Sequence, residues 1–516
     1  MKKSIINAIL LSIPVLFLLF LGLRGSLGSP TKTNINTPSW MENGPFELSP
    51  ERGRFGLLFS IVEDHGLFFS VPVARFTLPD LGYKNGHYVS LFAPAVSYLA
   101  IPGYLIGKYF GASQVGSFAV IALFAFINFW LIRGIAILLG SNRFAATLAG
   151  LVFAFATPAF PYGVTLYQHH ISTFLILLSS YLLIRWNNFW SLFTIWFLCA
   201  CSIPVDYPNL FLMAPIGLFA LGRVASIVYT NSKLNFSLKP LYVITFIGIV
   251  FPLIFFFWFN KASYNNPLQF SGTVSTIKAI DANGNPASDK TVNVQDIEKY
   301  TNPDSQKRSV FNFFRTRSLL NGLYIHLFSP DRGVLYFTPV LFLGLFGFAF
   351  STIKKDKKQY FGVLISVIFA DLLLYSMWGD PWGGWAFGSR YLIPAYAIVS
   401  IILALLLSRF RKNIAILAIF IILFVYSSGV NVLGAITSNA NPPQVQILSL
   451  EQQTGMVQKY TFMRNWDAIK QGNSKSFVYQ TFLSPQVTAS QYYFFVTGLV
   501  VLLGFIQIIS LYLSRD

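Results

Sequence analysis

Long apolar runs restrict the fold of this chain more than any other feature of its sequence. About twelve of them reach the length of about 20 residues that a helix needs to cross the hydrocarbon core of a bilayer. The chain is 54% hydrophobic and 11% charged, whereas about 25% of the residues in soluble domains are charged. We therefore predict an all-α polytopic membrane protein. Its predicted spans are residues 5–24, 115–138, 144–161, 170–185, 188–204, 208–224, 241–260, 333–352, 359–377, 391–408, 413–434 and 491–512.

The N-terminal run, MKKSIINAILLSIPVLFLLFLGLRG, resembles a signal peptide only superficially. Its apolar core of about 19 residues is longer than the 7–15 residues typical of a signal peptide. We interpret it as a retained first transmembrane helix. Cys199 and Cys201 lie within a later apolar run, so they indicate neither a disulfide framework nor a metal site.

Clusters of basic residues predict the orientation of the spans. Short cytoplasmic loops collect Lys and Arg, and MKK, KKDKK (354–358) and RFRK (409–412) are such clusters. They share one side of the membrane only if the apolar, proline-containing run 90–110 does not cross it. We therefore predict that 90–110 is a re-entrant or juxtamembrane helix at the outer surface. Both termini are then cytoplasmic, and the large outer segments are 25–114, 261–332, with a polar surface loop over 278–309, and 435–490.

Arg390 is the single Lys or Arg residue in the three predicted short outer loops, 162–169, 205–207 and 378–390. It follows WGDPWGGWAFGS, whose glycines allow a backbone to approach a ligand closely and whose tryptophans can stack on sugar faces. Its planar guanidinium suits a pair of phosphate oxygens, although an arginine here can also reach the lipid headgroups. Most of the short Lys/Arg clusters lie between apolar runs, and without a recognised binding motif the net charge of +18 does not indicate nucleic acid.

Four carboxylates of the first outer segment are candidates for a general base, namely Glu51, Glu63, Asp64 and Asp80. A carboxylate in a dry cavity at the membrane edge has a raised pKa and can accept a proton from a substrate. The alternative is that each is a solvated loop charge.

Further polar residues lie at other predicted outer helix ends. Asp331 and Arg332 precede one such end, where a simple interfacial ion pair is the alternative to a functional role. Because these features come from separate parts of the chain but share one side, we predict a common pocket for a sugar or an acceptor. Its predicted lining is His169, His170, Asp206, Tyr207, Trp378, Asp380, Trp382 and Trp385.

Five motifs together resemble the GT-C class of membrane glycosyltransferases, in the broad group related to protein O-mannosyltransferases and aminoarabinose transferases. They are NGHYVSLFAPAVSYLAIPGYLIG (85–107), TPAFPYGVTLYQHH (157–170), VDYP (205–208), LFSPDRGVLYFTPV (327–340) and WGGWAFGSRYLIPA (382–395). The resemblance extends over almost the whole chain. It implies a GT-C-type bundle of about 12 transmembrane helices with juxtamembrane helices in the first outer loop. It also implies a sugar donor on a polyprenyl phosphate and transfer on the non-cytoplasmic face.

The resemblance also implies a catalytic acidic residue in the first outer loop. The family position before an Arg-aromatic pair matches Glu51, in ERGRF, and a second acidic position matches Asp80, in PDLGYKNGHY. We rank Glu51 first, Asp80 second, and Glu63 and Asp64 below both.

One departure from the family concerns the lipid phosphate. Related enzymes often carry an acidic-basic pair just before an Ala-Pro or Pro-Pro step, and the lysine is expected to contact the phosphate. Here Leu91 and Phe92 occupy those positions. Either the chain has lost activity or other cations bind the phosphate, the candidates being Arg390, Arg332, Lys84 and His87.

We therefore expect an inverting glycosyltransferase of the bacterial cytoplasmic membrane, with a polyprenyl-phosphate-linked sugar as donor and a lipid, glycan or protein as acceptor. Residues 1–435 would form the catalytic transmembrane module, and 436–516 an outer loop and a final transmembrane helix. No cofactor is predicted to be obligatory, although a divalent cation is an open alternative. A transporter or lipid flippase is the second hypothesis, although the spans hold few charges and no repeat is evident. A catalytically inactive scaffold is the third hypothesis.

Overall fold

The computed structural model describes residues 2–230, 233–287, 314–350, 353 and 355–514. Most of the predicted loop 278–309, together with Lys354 and Arg515, lies outside these residues. Within them the predicted all-α class is confirmed, because apolar helices build the bundle and the sheets have only two or three short strands.

The first part of the chain forms the helices α1 Lys2–Gly22, α2 Pro38–Met41, α3 Ser49–Glu63, α4 Val71–Thr77 and α5 Ala95–Tyr109, with the strands β1 Leu81–Lys84 and β2 His87–Ser90. The middle part forms α6 Ser113–Leu139, α7 Arg143–Phe155, α8 Ala159–Gly163, α9 His169–Arg185, α10 Phe189–Val205, α11 Asn209–Val224, β3 Ala225–Thr230, β4 Lys233–Leu238, α12 Pro240–Val243, α13 Val250–Tyr264, β5 Thr276–Ile277, β6 Ala279–Ile280 and β7 Pro286–Ala287. The last part forms α14 Leu319–Leu327, α15 Val334–Phe337, α16 Val340–Phe350, α17 Lys358–Ser376, α18 Ile393–Arg409, α19 Ile414–Ile436, α20 Ile447–Thr454, α21 Met463–Lys470 and α22 Ala489–Leu513.

Six helices among the described residues are long and apolar enough to cross a membrane. They are Ser113–Leu139, Pro240–Tyr264, Lys358–Ser376, Arg390–Arg409, Ile414–Ile436 and Ala489–Leu513. Shorter apolar helices accompany them at Ile9–Gly22, Arg143–Phe155, Phe189–Val205 and Asn209–Val224. The protein is therefore a multi-pass membrane protein, while the count of about twelve spans stays a prediction.

Two of the predicted spans are interrupted. The sequence predicts one helix over 144–161 and one over 333–352, but α7 ends before Pro158 and α15 ends before Pro339. A proline removes a backbone donor and disfavours helical geometry in the residue before it. The two breaks pack together, because Thr338 donates a hydrogen bond to the carbonyl of Ala156 at 2.8 Å. Polar backbone at this depth is tolerated where neighbouring protein satisfies it.

Within the run 90–110 the helix α5 begins only at Ala95, and its 15 residues correspond to about 22 Å of helix. That length is shorter than the hydrocarbon core of about 30 Å. The helix packs along the first half of α6, and three glycines bring the two backbones together. A Cβ atom on Gly116 would lie 2.0 Å from the carbonyl oxygen of Gly103 and 2.8 Å from the Cα of Gly107. Small residues allow such close helix contacts in membranes.

We expect Gly116→Ala to destabilise the protein, because the added methyl group meets backbone that cannot rotate away. Overpacking of this kind costs roughly 1–3 kcal/mol or more. The measurement is the midpoint of thermal unfolding in detergent. Gly498→Ala is the matched control, since Gly498 also lies in an apolar helix and has no atom within 4 Å of an added Cβ. An equal midpoint for the two variants would contradict the close packing of α5 on α6.

The two ends of the bundle differ in charge. At one end, called here the basic end, Asn142 N donates to Ser408 Oγ at 2.8 Å, and Arg223 donates to the carbonyl of Trp186 at 2.8 Å. The helix termini with Arg143, Arg185, Arg223 and Arg409 lie here. Basic residues at one set of helix ends are typical of one side of a membrane, while the orientation of the spans stays a prediction. The breaks before Pro158 and Pro339 belong to the opposite end, which also carries the segments that the sequence predicts to be outer, called here the outer segments.

The outer segments pack on one another at that opposite end. The strands β1 and β2 form a hairpin whose turn, Asn85-Gly86, has the positive φ angles of 50° and 82° that a tight two-residue turn requires. β1 also pairs with β5, and Tyr264 donates to the carbonyl of Ser90 at 2.9 Å. The first and second outer segments therefore form one layer over the bundle.

Candidate functional site

A buried ion pair fixes the start of the first outer segment. Arg24, fully buried, donates to Glu47 Oε2 at 2.9 Å and to the carbonyl of Ala435 at 2.9 Å. Lys475 lies 2.7 Å from the other carboxylate oxygen of Glu47. Burial by itself raises the pKa of Glu47, but Lys475 and Arg24 outweigh it and lower the pKa to about 2. These contacts join the first segment to the last one and set the position of α3.

Glu51 lies in the first turn of α3 and has no exposed surface. Its Oε2 accepts hydrogen bonds from the backbone N–H groups of Glu47 at 3.0 Å and Leu48 at 3.4 Å. Its Oε1 is buried and has no hydrogen-bond partner among the described residues. Burial, followed by the negative charge of Glu47, raises the pKa of Glu51 to about 7. A carboxyl group with this pKa can exchange a proton near neutral pH.

Arg54 lies one helical turn beyond Glu51 and connects three parts of the chain. It donates to Gln168 Oε1 at 2.6 Å, and Gln168 donates to Asp206 Oδ2 at 2.8 Å. Its guanidinium carbon lies 4.7 Å from the ring centroid of Phe92 and 5.8 Å from that of Tyr167. Burial lowers the pKa of Arg54 to about 10, so it remains a cation at neutral pH.

Arg390 faces the same region from the end of the WGGWAFGSR segment. Its guanidinium carbon lies 5.3 Å from the ring centroid of Tyr167 and 5.6 Å from that of Tyr391. Nη2 donates to the carbonyl of Gly383 at 2.7 Å, whereas Nε and Nη1 are buried without a hydrogen-bond partner in the described residues. Glu51 and Arg54, like Arg390, lie within electrostatic range of the Tyr167 hydroxyl. The structure therefore brings these groups to one site.

Buried polar atoms without partners mark this site as incomplete. Among the described residues they include Glu51 Oε1, Arg54 Nε, the Tyr167 hydroxyl, His169 Nε2 and Nε and Nη1 of Arg390. Buried polar groups in folded proteins are almost always hydrogen-bonded, so such a concentration indicates a place for a polar ligand. Arg52, Arg54 and Arg390 lie within electrostatic range of the carboxylates Glu51, Asp80 and Asp206. Several of the unpartnered atoms are guanidinium N–H donors, on Arg54 and Arg390, so the missing ligand is expected to be an anion.

Arg332 has different contacts from Arg390, although the sequence predicts that both bind phosphate. It is buried and donates to the carbonyls of Trp382 at 3.1 Å, Gly384 at 2.9 Å and Asn441 at 3.0 Å. A guanidinium with these partners is occupied by the backbone of the segment that carries Arg390. This geometry favours a positioning role for Arg332.

The other predicted pocket residues lie around the site or beside it. His169 stacks on Tyr167 with a centroid distance of 5.8 Å. His170 instead contacts the carbonyl of Ala159 at 2.7 Å and is fully buried in the bundle. Tyr207 is hydrogen-bonded to Ser271 at 2.8 Å, in the second outer segment.

The predicted pocket residues of 378–385 mainly stabilise the conformation of that loop. Asp380 accepts a hydrogen bond from Gly384 N at 2.6 Å, and both Gly383 and Gly384 have positive φ angles, of 70° and 63°. Trp385 donates to Gln446 at 2.8 Å, and Trp378 packs edge-on against Phe314 at 5.5 Å. Trp382 contributes its backbone carbonyl to Arg332.

Several first-segment candidates do not join Glu51. Glu63 lies at the far end of α3, 2.6 Å from Lys108, and Asp64 lies 2.6 Å from Lys32. Asp80 accepts a hydrogen bond from Ser49 at 2.6 Å and lies within electrostatic range of Arg52, so it lies at the edge of the site.

Two predicted phosphate ligands lie on the β1–β2 hairpin. Lys84 is the last residue of β1, and His87 is exposed and stacks on Phe68 with a centroid distance of 4.2 Å. Neither has a contact with Arg390 or Glu51 among the described residues. In the described part of the chain no group of three or more His, Cys, Asp or Glu residues could hold a metal ion.

The fold and the site define a multi-pass membrane protein with a buried polar site, which contains several arginines, at one end of its helical bundle. No protein-family model and no curated protein sequence matches the chain. It is similar to the solved structure of ArnT from Cupriavidus metallidurans in the apo state, with a TM-score of 0.45 and 13% identity over 98% of this chain and 78% of that one. It is also similar to the archaeal oligosaccharyltransferase AglB from Archaeoglobus fulgidus, solved with an inhibitory peptide and a dolichol-phosphate, with a TM-score of 0.39 and 12% identity over 96% of this chain and 55% of that one.

Proposed function

We propose that this protein is an inverting glycosyltransferase that takes a sugar from a polyprenyl-phosphate donor. The observation that carries the proposal is the set of unpartnered buried atoms on Arg390, Arg54 and Glu51 around Tyr167. Cations with free N–H groups suit a phosphate, and a carboxyl group with a pKa of about 7 suits a general base. The site thus supplies both functions that the reaction needs.

The proposed reaction is a single displacement at the anomeric carbon. The acceptor hydroxyl oxygen forms a bond to that carbon, while the bond from the carbon to the phosphate oxygen breaks and its electron pair stays on the phosphate. Glu51 takes the proton of the acceptor hydroxyl. Arg390 stabilises the negative charge that develops on the leaving phosphate in the transition state.

Phe92 explains how the site could work without the acidic-basic pair seen in related enzymes. Its ring lies against the guanidinium of Arg54, and Gly53 leaves room for it, because a Cβ there would lie 2.4 Å from the Phe92 ring. The aromatic ring at position 92 therefore packs on a guanidinium group, and Arg54 on α3 supplies the positive charge beside that ring. Arg54 is then the candidate for the second phosphate contact.

The location of the site supports transfer on the non-cytoplasmic face. The basic helix ends with Arg143, Arg185 and Arg223 gather at the opposite end of the bundle, and such residues are typical of the cytoplasmic side. We propose a bacterial cytoplasmic membrane as the location and a lipid, glycan or protein as the acceptor.

The test is a turnover assay with purified protein in liposomes that contain labelled polyprenyl-phosphate sugars and a membrane extract as the source of acceptors. We expect the label to leave the lipid with the wild type and with Glu63→Gln, a control variant of an acidic residue in a distant ion pair. Movement of intact labelled lipid across the bilayer would instead indicate a transporter. Binding without cleavage across the panel would indicate a scaffold.

A further inference from the structure

A large cavity opens on the bundle away from the proposed transfer site. It has a volume of about 1130 Å³ and lies between α1, α6, α7 and α22. Pockets for drug-sized ligands measure about 300–1,000 Å³, so this cavity can hold a larger molecule. Arg143, the first residue of α7, lines this cavity and lies at the basic end of the bundle.

Most of the residues that line the cavity are apolar, and several of them face outward. Leu10 on α1 is 62% exposed and Leu502 on α22 is 56% exposed, and Phe17 and Ile506 extend the same surface. In a helix that spans a bilayer, such surfaces lie against lipid chains.

Two arginines face this apolar surface. Arg133 lies inside the apolar helix α6, where its Nε donates to Thr147 at 3.1 Å and its guanidinium carbon lies 5.3 Å from the centroid of Trp130. Arg143 has a cation–π contact with Phe144 at 4.7 Å. In the described part of the chain neither arginine forms an ion pair, and no carboxylate lines the cavity.

The two arginines also repel one another, since Arg143 lies within electrostatic range of Arg133. An unpaired cation in a membrane helix is costly and indicates a function or a partner. An anion between the two guanidinium groups would remove the repulsion. The terminal N–H groups of Arg133 have no hydrogen-bond partner among the described residues, so they are available for such an anion.

We propose that this cavity binds an anionic two-chain phospholipid of the inner leaflet. Its phosphate would lie between Arg133 and Arg143, and its acyl chains would lie along the apolar surface of α1 and α22. Basic pockets between transmembrane helices on the cytoplasmic side are suited to anionic lipid headgroups. The site is separate from Glu51 and Arg390, so the proposal does not depend on the proposed transfer reaction.

The experiment measures lipid binding to the full chain in detergent, by the shift of the thermal unfolding midpoint and by native mass spectrometry. Phosphatidylglycerol, phosphatidylcholine and an undecaprenyl phosphate are titrated separately. We expect phosphatidylglycerol to raise the midpoint and to remain bound, and phosphatidylcholine to have little effect. The variant Arg133→Gln/Arg143→Gln should weaken phosphatidylglycerol binding by about tenfold or more.

Arg185→Gln is the matched control, because Arg185 is an exposed cation at the same end of the bundle but does not line the cavity. Leu502→Trp, which narrows the cavity and keeps both arginines, should also weaken binding. Equal binding by the wild type and both cavity variants, or equal effects of the two phospholipids, would overturn the proposal. Arginine-dependent preference for undecaprenyl phosphate over phosphatidylglycerol would overturn the assignment of the occupant.

Discussion

Glu51→Gln is expected to abolish sugar transfer while leaving the fold intact. The amide keeps an oxygen for the backbone N–H groups of Glu47 and Leu48 but cannot accept the proton of the acceptor. Removal of a general base lowers the rate by about 10²–10⁴-fold. The measurement is the turnover number with saturating donor in liposomes, and donor binding should remain close to that of the wild type.

The pH dependence gives a second test of the same residue. The base must be deprotonated, so the rate of the wild type should rise with pH through the Glu51 pKa of about 7. Residual turnover in Glu51→Gln should lack this rise. Asp80→Asn is the control, because Asp80 lies at the edge of the site and is bound by Ser49. Loss of turnover in Asp80→Asn with a retained pH profile in Glu51→Gln would transfer the role to Asp80.

The free energy of unfolding should fall as pH rises, whereas the rate of sugar transfer should rise. The pKa of Glu51 rises from 4.5 to about 7 on folding, so the native state holds its proton over a pH range in which the unfolded chain has lost it. Stability therefore falls as pH rises from about 4.5 to 7. Glu51→Gln should remove this loss and stabilise the protein at pH 8 by an amount on the order of 3 kcal/mol, but not at pH 4. An acidic residue that destabilises its own fold is more easily explained by function than by packing.

The apolar helices could be predicted from sequence because lipid requires long runs without charge. Their interruptions could not be located in the same way, since the runs 144–161 and 333–352 stay apolar across Pro158 and Pro339. Tertiary hydrogen bonds stabilise the two breaks. Thr338 donates to the carbonyl of Ala156, and Asn431 donates to the carbonyl of Phe337 at 2.7 Å.

Residues of the candidate site could be predicted where they depart from the charge pattern of membrane loops. They could not be predicted where their hydrogen-bond partner is distant in sequence. Arg390 stood out because it violates the charge pattern of the outer loops. Arg54 was missed, although its spacing of three residues from Glu51 places both on one face of α3. Its partner Gln168 is 114 residues away, and a single sequence holds no signal for such a pair. The sequence predicts the same phosphate-binding role for Arg332 and Arg390, because hydrogen bonds to backbone carbonyls, such as those of Arg332, cannot be identified from sequence.

Arg390→Gln should be the most damaging change among the basic residues of the site. The fold is expected to persist, because the guanidinium donates to the carbonyl of Gly383 in its own loop and otherwise lies between the rings of Tyr167 and Tyr391. Loss of a group that stabilises transition-state charge lowers the rate by about 10²–10³-fold. Arg390→Lys keeps the charge but loses the planar guanidinium group with its paired N–H donors. Its turnover number should therefore lie between those of Arg390→Gln and the wild type.

The decisive readout for Arg390 is the affinity for the product, a polyprenyl phosphate without sugar. A residue that binds the leaving phosphate should contribute more to product binding and to turnover than to the Michaelis constant of the donor, because the phosphate gains charge as the sugar leaves. Arg75→Gln is the control, since Arg75 lies in the outer layer and donates to the carbonyl of Asp281 at 2.7 Å. Unchanged product affinity in Arg390→Gln, with turnover reduced no more than in Arg75→Gln, would assign the phosphate to Arg52 and Arg54 and leave Arg390 a structural role.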